Sequence, residues 1–302
     1  MRKKEMLWMS ERVLLIMNPC SGQKRARRYL ADILGLFRAH DFVTTVMPTM
    51  ARGDAIEIIK EHGKNADRIV CIGGDGTFNE VVCGVLDTGL TVPIGYIPAG
   101  STNDFANSLK LPKNIMKAAQ LVCEGTPQPL DVGRFSDRYF TYVASFGAFT
   151  KTSYSTPQNV KNALGHLAYV LEGIKDIPSI RPLSVRFETP ERVVEGKYIF
   201  GAVSNSTSVG GVLTLSPEVV DMNDGKFELL LIKSPANAIE LNEIVLALTR
   251  QKYDCSAITF LAASDIEITA SPDMDWTLDG ERMPGSEHFT VKNLKSAIRL
   301  IM

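Results

Sequence analysis

The stretch Ile69-Val70-Cys71-Ile72-Gly73-Gly74-Asp75-Gly76-Thr77-Phe78-Asn79-Glu80 joins an apolar segment directly to a cluster of glycines and then to a polar segment. The apolar part is typical of a buried strand in a parallel sheet, and the part after the glycines is typical of the start of a helix. Such a junction exposes main-chain N–H groups at a helix N-terminus, where the helix dipole favours an anion. Glycine also removes the Cβ atoms that would keep a phosphate away. The residues of the predicted phosphate site are Gly73, Gly74, Asp75, Gly76, Thr77, Phe78 and Asn79.

Two side chains of this stretch add chemistry to the predicted site. Thr77 is a candidate N-cap or a hydrogen-bond donor to a phosphate, and the carboxylate of Asp75 could organise magnesium through water. The alternative is a tight strand-to-helix turn without any ligand. The pattern is neither a Walker A sequence nor GxGxxG, which argues against a Rossmann dehydrogenase.

Two further turns follow apolar segments in the same way. Asn18-Pro19-Cys20-Ser21-Gly22 precedes a basic segment, and Pro98-Ala99-Gly100-Ser101-Thr102-Asn103-Asp104 carries two hydroxyls, an amide and an acid. In an open parallel sheet, ligands bind at the carboxyl ends of the strands, so we expect the three turns to converge on one crevice. Each turn also has a simpler interpretation, namely ordinary turn chemistry for the first and a serine or aspartate N-cap for the third.

The hydrophobic pattern of the sequence changes near residue 130. Up to that point short apolar runs alternate with amphipathic segments, which predicts a doubly wound α/β domain over residues 1–130. Residues 131–287 are rich in segments typical of antiparallel strands, which predicts a second domain, and we expect residues 288–302 to rejoin the first. The predicted strands are Val13–Met17, Phe42–Val46, Arg68–Ile72, Pro93–Ile97, Tyr139–Ser145, Ser184–Glu188, Lys197–Ser204, Phe227–Lys233, Asp265–Ala270, His288–Val291 and Ala297–Ile301, and the predicted helices are Lys24–Ala39, Asp54–His62, Val81–Leu86, Val160–Ile174 and Ala238–Thr249.

Composition restricts the class of protein further. The 302 residues are 45% hydrophobic and 22% charged, which is typical of an ordinary folded protein. A net charge of -1 provides no general attraction for nucleic acid. The five cysteines form no CxxC pair, which fits reduced thiols in a cytosol. No apolar run approaches the ~20 residues that a membrane span requires, so we expect a cytoplasmic protein that visits the inner face of the membrane if its substrate is a lipid.

In this order and spacing, the three turns resemble the NPxSG, GGDGTxNE and PxGTxND motifs of the diacylglycerol kinase and sphingosine kinase family. The similarity extends over nearly the whole chain, and Ser101 keeps the hydroxyl of the threonine that is usual in the third motif. Further matching motifs are Gly165–Tyr169, Asn205 with Gly210-Gly211, Asp224-Gly225 and Leu278–Glu281. The resemblance implies that the first domain has an NAD kinase and phosphofructokinase-like fold, that the second is a β-sandwich, and that ATP lies between them.

The resemblance also implies the activity, which is transfer of phosphate from ATP, with Mg²⁺, to a hydroxyl of a membrane lipid. Diacylglycerol is the first candidate. In the family's pattern Glu281 is the proton acceptor, Asp279 its neighbour and Asp75 a second essential acid, although Asp279-Gly280-Glu281 by itself is a hairpin signal. Besides the glycine-rich stretch, the residues implied in ATP binding are Asn18, Pro19, Cys20, Ser21, Gly22, Thr49, Ser101 and Asp104.

The segment Asp221-Met222-Asn223-Asp224-Gly225-Lys226 offers hard oxygen ligands in a tight loop. It is shorter than an EF-hand loop and lacks its final glutamate. In related bacterial lipid kinases a structural magnesium is bound here, which implies Asp221, Asp224 and the main chain of Lys226 as ligands. The alternative is a simple β-turn.

Three other functions remain open from the sequence. The first is a kinase for another lipid, such as phosphatidylglycerol or a sphingoid base. The second is an NAD kinase, which shares GGDGT but not the NPxSG turn. The third is a sensor without catalysis, which would not need Asp75, Asp104, Asp279 and Glu281 together, because such acids are costly in a cleft. A homodimer is among the expected assemblies.

Overall fold

The computed structural model describes residues 10–147, 181–209, 213–216, 218 and 220–302. The chain divides into two compact units, one containing residues up to Pro129 together with Ile298–Met302, and the other containing Leu130–Ala297. The boundaries predicted from the sequence are at residues 130 and 288. Within the described residues, no helix is both long enough and apolar enough to span a membrane.

The first unit alternates strands and helices along the chain. Its strands are β1 (Arg12–Met17), β2 (Val43–Pro48), β3 (Arg68–Gly73) and β4 (Ile94–Pro98), and its helices are α1 (Arg25–Ala39), α2 (Asp54–His62), α3 (Asp75–Thr88), α4 (Asp104–Ser108) and α5 (Ile115–Glu124). The strands form a parallel sheet in the order β4-β3-β1-β2. Near the end of the chain, Leu300 adds a parallel pairing with Ile94 on the far side of β4.

Helices cover both faces of this sheet. Because successive strand residues point to opposite faces, Val13, Leu15 and Met17 pack with α1 and α5. Helices α2 and α3 pack against each other and against strands β1 and β3. Nearly every residue of β1, β3 and β4 is therefore buried, which explains their continuous apolar runs in the sequence. The predicted doubly wound α/β arrangement is confirmed.

The second unit is a β-sandwich of mostly antiparallel strands, as predicted. Its elements are β5 (Pro127–Phe135, entering from the first unit), β6 (Arg138–Phe140), β7 (Val143–Gly147), β8 (Leu183–Glu188), β9 (Val193–Ser204), β10 (Ser208–Val209), β11 (Leu213–Thr214), β12 (Phe227–Lys233), α6 (Ala238–Arg250), β13 (Ile258–Ala263), β14 (Asp265–Ala270), β15 (Trp276–Leu278), β16 (Glu281–Met283) and β17 (His288–Ile301). An aromatic core that includes Phe135, Phe146, Trp276 and Phe289 fills it.

Three predicted elements of this half need correction. The strand predicted at Tyr139–Ser145 is interrupted, because the chain turns at residues 141 and 142 between β6 and β7. The runs His288–Val291 and Ala297–Ile301 belong to one continuous strand, β17. Strands β5, β10, β11, β13, β15 and β16 were not predicted. The predicted helix Val160–Ile174 and the motifs Gly165–Tyr169 and Gly210-Gly211 lie outside the described residues.

Candidate active site

The three turns of the first unit follow neighbouring strands. They come directly after β1, β3 and β4, which are adjacent and parallel, so all three lie at the same edge of the sheet. Two main-chain hydrogen bonds continue the sheet into the turns. The N–H of Asn18 donates to the carbonyl of Ile72 at 2.9 Å, and the N–H of Ala99 donates to the carbonyl of Gly73 at 2.8 Å. The predicted convergence of the three turns is therefore observed in the geometry.

Side chains fasten the first turn to the second. The amide of Asn18 donates from Nδ2 to the Thr77 hydroxyl at 3.1 Å, while its Oδ1 accepts from the N–H of Cys20 at 2.9 Å. Thr77 is nearly buried, and the N-cap of α3 is Gly74 rather than Thr77. The prediction of Thr77 as N-cap is therefore wrong, because its hydroxyl is turned toward the first turn instead.

Glycines let these turns touch main chain to main chain. A Cβ added to Gly22, whose φ is +50°, would lie 1.9 Å from the carbonyl oxygen of Ala99. A Cβ added to Gly100 would lie 2.6 Å from the Cα of Gly74. Gly76 is different, because it is exposed and an added Cβ would meet nothing within 4 Å. Packing therefore explains Gly22, Gly74 and Gly100, whereas Gly76 leaves open space beside the N-terminus of α3.

The carboxylate of Asp75 fastens the second turn to the third. Its Oδ2 accepts from the N–H of Asp104 at 2.9 Å and its Oδ1 from the N–H of Phe105 at 3.3 Å. Asp75 thus caps helix α4 from outside the helix. The N-cap residue of α4 is Asn103, in the left-handed region at φ 54°, and its side chain makes no capping bond. The expected serine or aspartate N-cap in this turn is therefore not what holds the helix.

Phe78 lies in the core below the turns. Its ring stacks on Tyr96, with centroids 4.4 Å apart, and on Phe105, with centroids 5.1 Å apart. The side chain is fully buried and its N–H donates to the carbonyl of Gly74. The side chain of Phe78 therefore supports the site from beneath, and the predicted contact of Phe78 with the nucleotide stays a prediction.

Two residues, Thr49 after β2 and Glu80 in α3, extend the site beyond the three turns. Thr49 is nearly buried, and its N–H donates to the carbonyl of Met17 at 2.9 Å, which places it beside the end of β1. The carboxylate of Glu80 accepts from the N–H groups of Gly53, at 2.8 Å, and Ala55, at 3.4 Å, at the start of α2. No function was predicted for Glu80, although its place at the end of the glycine-rich stretch Ile69–Glu80 was a signal.

The third turn also borders a small cleft of about 170 Å³. Ser101 and Thr102 are exposed at this turn, as is Cys20 in the first turn. Within the third turn, the Asn103 side chain closes the loop by accepting from the N–H of Gly100 at 2.9 Å and donating to its carbonyl at 3.0 Å. Hydroxyl groups are therefore presented outward from a turn whose main chain is fixed.

In the second unit, Asp279 and Gly280 form the two-residue turn between β15 and β16. Both have positive φ, 47° and 87°, as a type I′ hairpin turn requires. The Asp279 carboxylate is buried and accepts from the N–H groups of Thr141, Tyr142 and Val143 at 2.5–3.0 Å and from the Thr141 hydroxyl at 2.8 Å. Burial raises the pKa of the Asp279 carboxyl, and these donors oppose that shift. Asp279 therefore positions the hairpin and has no exposed face for a substrate.

Glu281 follows that turn and is accessible. Its Oε2 lies 3.1 Å from a guanidinium nitrogen of Arg138, and about one third of each side chain is exposed. Arg138 also donates to the carbonyl of Arg282 at 3.2 Å. The hairpin and the arginine thus hold one accessible carboxylate in a defined position, which is what a general base requires.

The loop Asp221–Lys226 is closed by its own hydrogen bonds. The carboxylates of Asp221 and Asp224 accept from the N–H groups two residues further on, Asn223 at 3.0 Å and Lys226 at 2.8 Å. The Asp224 carbonyl accepts from the Lys295 ammonium at 3.3 Å, so a positive charge already lies there. No group of three His, Cys, Asp or Glu side chains in the described ranges could hold a metal ion. Magnesium bound by Asp221, Asp224 and the main chain of Lys226 stays a prediction.

Comparison with known proteins agrees with this geometry. Residues 12–135 match the diacylglycerol kinase catalytic domain, and residues 145–302 match the YegS C-terminal NAD kinase beta sandwich-like domain. A diacylglycerol kinase of Bacillus subtilis is 35% identical over 273 residues, which cover 90% of each chain. A diacylglycerol kinase of Staphylococcus saprophyticus is 31% identical over 301 residues, covering 95% of this chain and 98% of that protein. A crystal structure of a diacylglycerol kinase from Bacillus anthracis has a TM-score of 0.78 at 24% identity and covers 96% of each chain.

The fold and the site define a lipid kinase, that is, a phosphotransferase with an alcohol as acceptor. The chain belongs to the diacylglycerol kinase family.

Proposed function

We propose that this chain transfers the γ-phosphate of ATP to the hydroxyl of diacylglycerol at the inner face of the membrane and produces phosphatidic acid. The observation that carries the proposal is the N-terminus of α3. There the main-chain N–H groups of the first helical turn lie beside the open space at Gly76, with two other turns fastened around it. The names of the relatives support diacylglycerol as the lipid.

In this proposal the first unit binds the nucleotide. The phosphates approach Gly76 and the start of α3, where the helix dipole stabilises negative charge. Thr49 and the exposed hydroxyl of Ser101 contribute from the neighbouring turns. The proposed nucleotide contacts are those predicted from the sequence, namely Asn18, Pro19, Cys20, Ser21, Gly22, Thr49, Gly73, Gly74, Asp75, Gly76, Thr77, Phe78, Asn79, Ser101 and Asp104. Magnesium bound with ATP would neutralise charge on the phosphate oxygens.

The second unit supplies the base. We assign Glu281 to accept the proton of the lipid hydroxyl while that oxygen forms its bond to the γ-phosphorus and the bond from phosphorus to the oxygen of ADP breaks. Arg138 holds the carboxylate in position, and Asp279 fixes the turn that carries it. Asp279 is therefore a positioning residue, whereas Glu281 is the residue that touches the substrate.

The test is transfer of labelled phosphate from ATP in mixed micelles that contain diacylglycerol, phosphatidylglycerol or a sphingoid base. We expect labelled phosphatidic acid from diacylglycerol, and we expect Glu281→Gln to lower kcat by about 10²–10⁴. Glu188→Gln is the control, because Glu188 is an exposed strand residue paired with Arg186. Product from another lipid alone would correct the substrate, and no product from any lipid would refute the proposal.

A further inference from the structure

A second cavity lies within the sandwich unit and takes no part in the proposed transfer. It is open to solvent, has a volume of about 400 Å³ and is lined by residues in and beside strands β9, β12 and β13. The residues that give it chemical character are Arg192, Lys233, Tyr198, Tyr253, Val193 and Phe260. Two cations, two phenols and two apolar side chains therefore line one mostly polar space.

Tyr198 provides the strongest evidence for a ligand. The residue is fully buried, yet its hydroxyl makes no hydrogen bond to any atom of the described chain. A buried hydroxyl without a partner is costly, and such groups in native proteins usually have one. Burial raises the pKa of Tyr198 and that of Tyr253, so both phenols are neutral hydrogen-bond donors near pH 7.

The charges around the cavity favour an anion. Arg192 and Lys233 are exposed at its rim, and neither forms an ion pair with a carboxylate in the part of the chain that the structure describes. Glu195 also lines the cavity, but its carboxylate is engaged by Arg186 at 3.0 Å. Lys233 lies opposite Tyr198 in the pairing of β12 with β9, next to a bulge after Ile232.

We propose that this cavity binds a phosphate group. Two cations and a buried phenol donor match its charge and its acceptor oxygens. The group could be inorganic phosphate or the head group of a phospholipid, whose alkyl part would contact Val193 and Phe260. The inference does not depend on the proposed transfer, because none of these residues belongs to it.

The first test is calorimetric titration of the whole protein with inorganic phosphate and, separately, with dihexanoyl phosphatidic acid below its micellar concentration. A non-hydrolysable ATP analogue is present at saturation, so that phosphate does not compete for the first unit. We expect Tyr198→Phe to weaken binding about tenfold, as the loss of one hydrogen bond to a charged group does. Lys233→Gln should weaken it too and reduce its salt dependence. The control Lys292→Gln, an exposed lysine of β17, should leave it unchanged.

A stability measurement separates a ligand site from a hydroxyl that is satisfied by water. Without added phosphate, Tyr198→Phe should unfold at the same or a higher temperature, because it removes an unpaired buried hydroxyl. A lower unfolding temperature with unchanged phosphate affinity would overturn the proposal, as would the absence of binding of both probes.

Equal affinities for both probes would identify free phosphate as the ligand, and tighter binding of the lipid would identify a head group. If the ATP analogue does not bind but the Tyr198 effect persists, the proposed transfer fails and this inference stands.

Discussion

The carboxylate of Asp75 lies 2.9 Å from the main-chain nitrogen of Asp104, so an acid at the start of one helix caps the start of another. The third turn is thereby held against the second by a charge-assisted hydrogen bond. The same carboxylate also receives the N–H of Phe105 and lies 3.4 Å from the hydroxyl of Tyr96. Asp75, which was expected to organise magnesium, therefore holds the second and third turns together.

This relationship predicts that Asp75→Ala lowers stability as well as activity. We expect the free energy of unfolding to fall by about 1–3 kcal/mol, because two N–H groups at the start of α4 lose their acceptor. The KM for ATP should rise in parallel as the third turn loosens. Urea denaturation and ATP titration measure the two effects. A variant of unchanged stability that has lost transfer alone would place Asp75 in the chemistry rather than in the architecture.

Asp67 provides the matched control for that experiment. It also accepts a main-chain N–H, that of Arg12 at 2.9 Å, but it precedes β3 and lies at the other end of the strands. Its ion pair with Arg12 is largely exposed, so Asp67→Ala should cost no more than about 1 kcal/mol. ATP binding should be unaffected.

Gly76 allows phosphate approach to be tested without disturbing the packing of the turns. An added Cβ would contact nothing, and alanine favours helix, so Gly76→Ala should keep or raise stability by about 0.5–1 kcal/mol. If phosphates bind beside α3, the same methyl group should weaken ATP binding about tenfold or more. Gly35→Ala, also in a helix with open space around it, should give the stability gain alone. Unchanged ATP affinity in Gly76→Ala would move the phosphates elsewhere.

Much of the fold could be predicted from local sequence patterns. The buried runs before the three turns predicted β1, β3 and β4, and helix α2 was predicted with the bounds that the structure has. Parallel strands place their carboxyl ends at one edge, so the convergence of the turns followed from the same patterns. These features depend on periodicity and turn chemistry, which short segments contain.

What could not be predicted depends on partners that are distant in the sequence. Asp75 caps a helix 29 residues later, and the Asp279 carboxylate binds main-chain N–H groups 136–138 residues earlier. The predicted strand Tyr139–Ser145 is interrupted where those N–H groups turn toward Asp279, so a local pattern could not reveal the break. Phe78 lies between Thr77 and Asn79, and this local sequence carries no sign of its aromatic neighbours Tyr96 and Phe105.

Substitutions of Asp279 and Glu281 should have different effects on stability and on phosphate transfer. Asp279→Ala leaves three buried N–H groups without an acceptor, so we expect a loss of more than about 2 kcal/mol in the free energy of unfolding. Glu281→Gln loses one partly exposed ion pair and should change stability by less than about 1 kcal/mol, while transfer fails. Thermal unfolding and phosphate transfer, measured on both variants, check this. Similar losses of stability in the two would argue that Glu281 is structural.

Glu228 predicts how stability depends on pH. It is buried in β12, and one oxygen of its carboxyl has no hydrogen-bond partner among the described residues. Burial raises its pKa from 4.5 to about 8, and the negative charges of Asp224 and Asp221 add to the shift. A carboxyl with a raised pKa is protonated in the folded state, so the native protein binds more protons than the unfolded chain between pH 4.5 and about 8. Within that window stability should fall as pH rises, at a slope of up to about 1.4 kcal/mol per pH unit.

Substitution by the neutral isostere Glu228→Gln removes this penalty. The variant and the parent should be equally stable near pH 4.5, and the variant should become progressively more stable than the parent toward pH 8. Urea denaturation at several pH values measures the difference, with Glu267→Gln, an exposed glutamate of β14, as the control. A parent protein that gains stability relative to Glu228→Gln as pH rises would show that Glu228 is ionised and paired in the folded chain, because only a favourable partner could reverse the sign of the burial effect.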